Sequence, residues 1–396
     1  MNLCTKAIHP HKYKKHLPFF SFAKPLNPSY PLIKGSIMPD LFEPFKLGSL
    51  EVRNRFMRSA TTSYWSDEGG IVRPEIIRLY SNLSKGGVGL IVKGHTYVMD
   101  SGKGHIGMAG ISGDYHVPKL QELTDAVHKH GGKIVTQLNH AGFKSVVDRA
   151  GPSEYQEGDW KGRALPIGEI HEIVDAFGEA AGRTMDAGFD GVMIHGAHGY
   201  LVSQFLSGHA NKRTDEYGGN LENRMRFLTE VYDEIRARVG ATYPVLIKMN
   251  CDDFSPEGFT VEDSIKVASA MAKRGMALIE ISGGGMGQVR ELRRTRAKSD
   301  DPALFEANFA GHGEKIHRAI KPTPMGLVNG IRTKGCMEAL LEKGVTEIIS
   351  MSRPFIREPD LVRNLEEGQL EATCISCDGC SGRGVFSKVM LMCHQE

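Results

Sequence analysis

His195, His198 and Tyr200 stand together in Gly191-Val-Met-Ile-His-Gly-Ala-His-Gly-Tyr-Leu, at the point where an apolar run of strand length gives out. Two imidazoles can hold a carbonyl oxygen, and a phenol with an ordinary pKa near ~10 stays protonated at neutral pH and can serve as an acid. That set suits reduction of a polarised double bond. A buried hydrogen-bonded histidine couple, or a metal site, is the competing reading, although no carboxylate ligand accompanies the pair. Elsewhere, Gly326-Leu-Val-Asn-Gly-Ile-Arg and Ile349-Ser-Met-Ser-Arg-Pro place Asn329, Gly330, Ser352 and Arg353 at the ends of two further apolar runs. Backbone N–H groups and a planar guanidinium are what a phosphate needs, whereas simple turns and a solvated arginine are what the chain needs if no phosphate binds. Gln137 and Lys248 are polar side chains inside apolar runs, and Lys248 could alternatively attack a carbonyl as a Schiff-base nucleophile.

The elements that must carry these groups follow from periodicity. Apolar runs of strand length occur at 55–60, 88–94, 133–139, 191–197, 244–250, 278–284, 325–330 and 347–352. Between and after them, apolar residues at three-to-four spacing predict helices over 74–85, 117–130, 172–187, 221–239, 261–274, 313–320, 334–343 and 360–366. Eight alternating pairs imply an α/β fold, a (β/α)8 TIM barrel. A doubly wound sheet competes through Gly283-Gly-Gly-Met-Gly287, but the charged stretch that follows lacks the helix a dinucleotide fingerprint requires. Barrels gather function at the C-terminal ends of their strands, where His195, Lys248, Gly284, Asn329 and Arg353 all fall. Two long excursions, 140–170 and 198–220, then form the rim of the pocket.

Composition fits this frame. The chain has 396 residues, 40% of them hydrophobic, and a formal net charge of +2, too small for a nucleic-acid footprint. A small-molecule substrate is expected. No window reaches the ~18 uninterrupted apolar residues of a membrane span. Residues 1–37 carry six lysines, no acidic residue and several prolines, and are expected to be a disordered extension. A barrel domain over 38–370, opening with a short hairpin, and a cysteine-rich tail over 371–396 complete the expected organisation. A cytoplasmic homo-oligomer is the expected setting.

The motifs around His195, Lys248, Asn329 and Arg353, taken together, resemble the old yellow enzyme family of FMN-dependent ene reductases, with the resemblance covering roughly residues 39–368. It implies FMN contacts from Ser59, Ala60, Thr61 and Thr62 at the end of the first strand, Gly94, Gln137, Lys248, Gly284, and a phosphate site of Asn329, Gly330, Ser352 and Arg353. Tyr64 and Trp65 would meet the substrate. A reduced nicotinamide, NADH or NADPH, would deliver hydride to the flavin and leave, and an α,β-unsaturated carbonyl compound would then take its place. His195 and His198 would bind the carbonyl oxygen, flavin N5 would supply hydride to the β-carbon, and Tyr200 would protonate the α-carbon. Many relatives carry arginine where Lys248 stands, and Gly208-His209 replaces a proline often found after Phe-Leu-Ser. Arg213, Asp215 and Tyr217 read as a loop brace, and Arg290, Arg293, Arg294 and Arg296 as a loop cluster able to attract phosphates. Amine dehydrogenation or demethylation is the runner-up within the family, and a flavin-holding subunit without turnover lies outside it.

Cys374, Cys377, Cys380 and Cys393 have spacing suited to an iron–sulfur cluster or zinc. The segment resembles the one that follows the barrel in 2,4-dienoyl-CoA reductases and trimethylamine dehydrogenases, which implies a 4Fe-4S cluster. Two residues lie between Cys377 and Cys380 where that family usually has three, so uncoordinated thiols remain an equal reading.

Overall fold

A computed structural model describes residues 39–157, 160–289, 298–380 and 389–395. The extension at 1–37 and the arginine cluster at 290–296 lie outside the described residues. Eight parallel strands form the closed barrel: β1 (Phe56–Thr61), β2 (Leu90–Tyr97), β3 (Lys133–Asn139), β4 (Gly191–Gly196), β5 (Val245–Asn250), β6 (Leu278–Ser282), β7 (Met325–Val328) and β8 (Ile348–Met351). Each pairs with its sequence neighbours, and β1 pairs with both β2 and β8, which closes the ring. The strands read as near-continuous apolar runs because one face meets the helices and the other the barrel interior.

The helices form the outer ring: α1 (Pro74–Lys85), α2 (Val117–His128), α3 (Ile167–Asp186), α4 (Leu221–Val239), α5 (Val261–Lys273), α6 (Ala310–Ile320), α7 (Lys334–Glu342) and α8 (Leu361–Glu366). Caps set several starts. The side chains of Asn220, Thr260 and Thr333 accept the N–H of Asn223, Asp263 and Cys336, satisfying donors that the first helical turn leaves without a partner. α3 begins five residues before its expected start, because Pro166 can sit at the cap and Ile170 joins Ile173, Val174 and Phe177 in the core. Burial of each such side chain contributes about 1.5–3 kcal/mol. α6 likewise starts at Ala310 and not at 313.

The expected hairpin pairs Phe45–Leu47 with Leu50–Val52, and Leu47, Leu50 and Val52 pack with Met57, Leu90, Val135, Met193 and Leu246. It plugs the barrel at the end opposite the strands' C-termini. At the other end, three features were not legible in the pattern. β2 runs past Gly94 to Tyr97, the first excursion folds into a small sheet of Ala150–Gly151, Tyr155–Glu157 and Trp160–Ala164, and the second contains a short helix, Leu201–Leu206. No helix among the described residues is long and apolar enough to cross a membrane.

Candidate active site

Register decides what meets at the mouth of the barrel. His195 on β4 lies beside Lys248 on β5, and Lys248 beside Glu280 on β6. Residues side by side on neighbouring strands point to the same face, so three polar side chains enter one layer of the interior. Lys248 Nζ lies 3.2 Å from Glu280 Oε1 and donates to Ser59 Oγ at 2.5 Å. Ser59 Oγ in turn donates to Glu280 Oε1 at 2.8 Å, and Ser350 Oγ on β8 donates to the same oxygen at 2.6 Å. Lys248 is 3% exposed and Glu280 wholly buried. Burial pulls the ammonium's pKa down, and the carboxylate beside it pushes it back up.

Above this floor a cavity of about 200 Å3 is lined by Ser59, Ala60, His198, Lys248, Asn329, Gly330, Ser352 and Arg353. Asn329 and Gly330 hold φ of 96° and 97°, and a Cβ at Gly330 would sit 1.8 Å from the Glu306 carbonyl oxygen, so this turn demands glycine. Ser352 Oγ lies 2.6 Å from Thr61 Oγ1, tying β8 to β1. Arg353 is paired to Asp378, which brings the tail over this end of the cleft.

Of the catalytic candidates, His198 lines this cavity. His195 and His198 meet edge to face with ring centres 5.4 Å apart, and the Tyr200 ring lies 4.8 Å from His195. His198 adopts φ 61°, its N–H donates to Asn250 Oδ1 at 3.1 Å, and its Nε2 lies 2.7 Å from Ser282 Oγ. Burial, with His198 and His95 close by, holds His195 far below the ordinary imidazole range, so it is neutral; its Nδ1 is buried without a hydrogen-bond partner. Burial pushes the Tyr200 phenol up to about 12. Thr62 Oγ1 sits 2.9 Å from His105 Nε2, and Tyr64 lies edge-on to His105 at 5.2 Å.

Not every expected residue joins the cleft. The Trp65 ring lies under the Arg73 guanidinium at 5.3 Å and packs on the outer core. Gly284 holds φ 98° in the loop after β6 and is not among the residues lining the cavity. Gly94 is explained by strand packing, since a Cβ there would lie 2.0 Å from the Thr61 carbonyl oxygen. Gln137 is buried on β3 and donates to Met193 Sδ at 3.3 Å. The Arg213–Asp215 pair is the brace expected, with Arg213 also donating to the carbonyls of Pro152 and Leu165.

Sequence reasoning missed His95, Glu280, Arg58 and Lys144. His95 lies 5.0 Å from the Tyr200 ring and 5.8 Å from His195, and its Nδ1 accepts from Asn139 Nδ2 at 3.0 Å. Glu280, a lone carboxylate in Leu-Ile-Glu-Ile, occupies its strand as Lys248 does in the preceding one, and that parallel was the available signal. Arg58 is 1% exposed and binds the Ser59 carbonyl and Thr61 Oγ1. Lys144 Nζ donates to the His198 carbonyl at 2.6 Å and lies 5.2 Å from the Tyr200 ring centre.

The family model for NADH:flavin oxidoreductases and NADH oxidases matches residues 40–371. The chain belongs to this family. It is 35% identical over 327 residues to an NADPH dehydrogenase of a Geobacillus species, covering 91% of that protein and 81% of this one. It is 32% identical over 370 residues to an NADH oxidase of Thermoanaerobacter brockii, covering 90% of this chain and 55% of that protein, so it spans about half of the longer relative. Among solved structures, a 2-naphthoyl-CoA reductase in complex with 2-naphthoyl-CoA superposes with a TM-score of 0.82 at 27% identity, over 89% of this chain and 56% of that one. Morphinone reductase superposes with a TM-score of 0.69 at 26% identity, over 86% and 93%.

FMN is accordingly the cofactor and NAD(P)H the reductant. The residues fit it: Glu280 Oε2 is a buried acceptor without a partner beneath the cleft, Lys248 supplies a cation there, and the turns after β7 and β8, where barrels commonly bind phosphate, line the same cavity. A metal at the tail is a different matter. Among the described residues no group of three histidine, cysteine or acidic side chains is placed to hold an ion, although Cys374, Arg353 and Cys393 lie close enough to bias the Cys380 thiol. No step is assigned to such a centre.

Proposed function

We propose that the chain is an FMN-dependent NAD(P)H oxidoreductase that reduces the C=C bond of α,β-unsaturated carbonyl compounds. The observation that carries this reading is the clustering of a neutral His195 with His198 and a protonated Tyr200, His198 lining the cavity. FMN, when bound, supplies the two-electron chemistry that links a reduced nicotinamide to the enone. His195 and His198 hold the carbonyl oxygen and stabilise negative charge as it develops there. Tyr200 donates its proton to the α-carbon. Ser282 and Asn250 fix the His198 ring and backbone so that donation is aimed before the substrate arrives.

Lys248 serves the pyrimidine edge of the flavin and not a carbonyl substrate. Its Nζ is engaged by Glu280 and Ser59, so it is already committed to partners and not presented to a carbonyl. Amine dehydrogenation needs no acid at an α-carbon, so the position of Tyr200 favours the ene reductase.

The test is anaerobic bleaching of the flavin by NADPH followed by addition of 2-cyclohexenone. The expected outcome is recovery of the yellow spectrum in the wild type and recovery about 10²–10⁴ times slower in Tyr200→Phe, with the NADPH step unchanged. Because the phenol titrates at about 12, the enone step should stay flat through pH 10, where an ordinary tyrosine would already be half ionised. Equal recovery rates in both proteins would remove Tyr200 from the mechanism.

A further inference from the structure

A second cavity, of about 260 Å3, opens on the rim between the first excursion and the loop after β6. Its walls include Lys144, Arg149 and Lys161, together with Phe143, Tyr155 and Met286, and no acidic side chain lines it among the described residues. Asp253, beneath Gly285, is turned inward: it accepts from Asn250 Nδ2 at 2.8 Å and from the Phe259 N–H at 3.0 Å, and burial pushes its pKa up.

The pocket is built into the rim sheet. Phe143 and Tyr155 are stacked with ring centres 4.9 Å apart and planes 22° from parallel. Gly151, on an outer strand of that sheet, and Gly162, on its central strand, allow the Phe143 ring to seat, since a Cβ at either would lie 2.5 Å from it. An apolar wall beside three cations is suited to a ligand that is flat and negatively charged. Lys144 joins the pocket to the reacting edge of the cleft, because the same Nζ binds the His198 carbonyl and lies over Tyr200.

We infer that this rim pocket binds an anionic group, a carboxylate or phosphate, carried at the far end of the molecule whose other end lies in the flavin cleft. The chemistry admits two sources, the tail of the substrate or the phosphates of the nicotinamide coenzyme. The inference deepens the ene-reductase reading and rests on it for the substrate source, whereas the coenzyme source needs only the reductive step.

The experiment uses Lys161→Glu and Arg149→Gln in the full-length holoenzyme, with matched charged and neutral ligands in each half-reaction. NADPH is compared with phosphate-free 1-benzyl-1,4-dihydronicotinamide, and the para-carboxylate of 4-phenyl-3-buten-2-one with the uncharged parent enone. Lys161 is exposed on the central strand of the rim sheet and pairs with Gln156 through the backbone, so replacing its side chain leaves the strand pairing intact. The expected result is a rise of about tenfold in the concentration needed for half-maximal rate with a charged ligand, equivalent to about 1.4 kcal/mol, while its neutral counterpart changes less than twofold. A shift confined to the carboxylated enone assigns the pocket to the substrate tail, and one confined to NADPH assigns it to coenzyme phosphate. Unchanged kinetics for both charged ligands, or equal losses for charged and neutral ones, would overturn the pocket. Failure of both enones to reoxidise wild-type flavin would instead sink the ene-reductase reading, and the two nicotinamides would still decide whether the pocket takes phosphate.

Discussion

The floor of the flavin cleft and its rim hold charges by opposite means. At the floor, Lys248 and Glu280 are carried by adjacent strands in fixed register, are buried, and share a network with Ser59 and Ser350. At the rim, Arg163 reaches Asp148 and Glu169, each at 2.6 Å, with its side chain 44% exposed. The rim contacts are the shorter, yet water competes with them and the long side chains must be ordered to make them. The floor pair cannot be solvated, so each partner depends on the other. Short distance is a poor guide to energetic weight, and burial a better one.

The largest effect should follow from breaking the floor. Glu280→Ala leaves a buried ammonium without its counter-charge and is expected to cost about 3–5 kcal/mol in denaturant unfolding. Replacing both partners, Lys248→Met with Glu280→Leu, should return most of that stability while flavin binding is lost, because the cost lies in the uncompensated charge. A double variant as unstable as the single one would mean that packing and not charge dominates.

Lys93 gives a sharper case. It is 2% exposed inside the barrel, donates to Thr96 Oγ1 at 2.7 Å, and burial pulls it down to about 7. Since the folded state binds this proton less tightly than the unfolded chain, the wild type should gain stability as pH rises from about 7 towards 10.5. Lys93→Met should remove that slope and stabilise the protein by about 1–3 kcal/mol at pH 7 and by less at pH 9, read from unfolding midpoints at both. The smallest effect belongs to the rim: Arg163→Ala should cost under about 1 kcal/mol, and added salt should shrink the difference. A loss as large as that of Glu280→Ala would erase the contrast between the two regions.

Much of the barrel was legible because a strand buried on both faces must be apolar along its length, and helices must be apolar on one side only. The strand ends then marked His195, His198, Tyr200, Lys248, Asn329 and Arg353 as neighbours in function. Trp65 and Gly284 do not line the cavity, because closeness in sequence to a strand end says nothing about which way a loop turns; the Trp65 ring lies beside Arg73. His95 was missed because β2 continues beyond Gly94, where a glycine reads as a strand's end and here serves the close approach of Thr61.

By itself the sequence determined the eightfold alternation, the plug hairpin and the residue types at the strand ends, since local periodicity and turn chemistry act over a few residues. Only the tertiary structure decided that Glu280 faces Lys248, that His95 meets Tyr200, and that the excursion after β3 folds into a cationic pocket. Those outcomes depend on strand register and on contacts between segments far apart in the chain, 189 residues for Lys248 and Ser59 and 221 for Ser59 and Glu280, and no local pattern encodes which partner a side chain meets across a closed barrel.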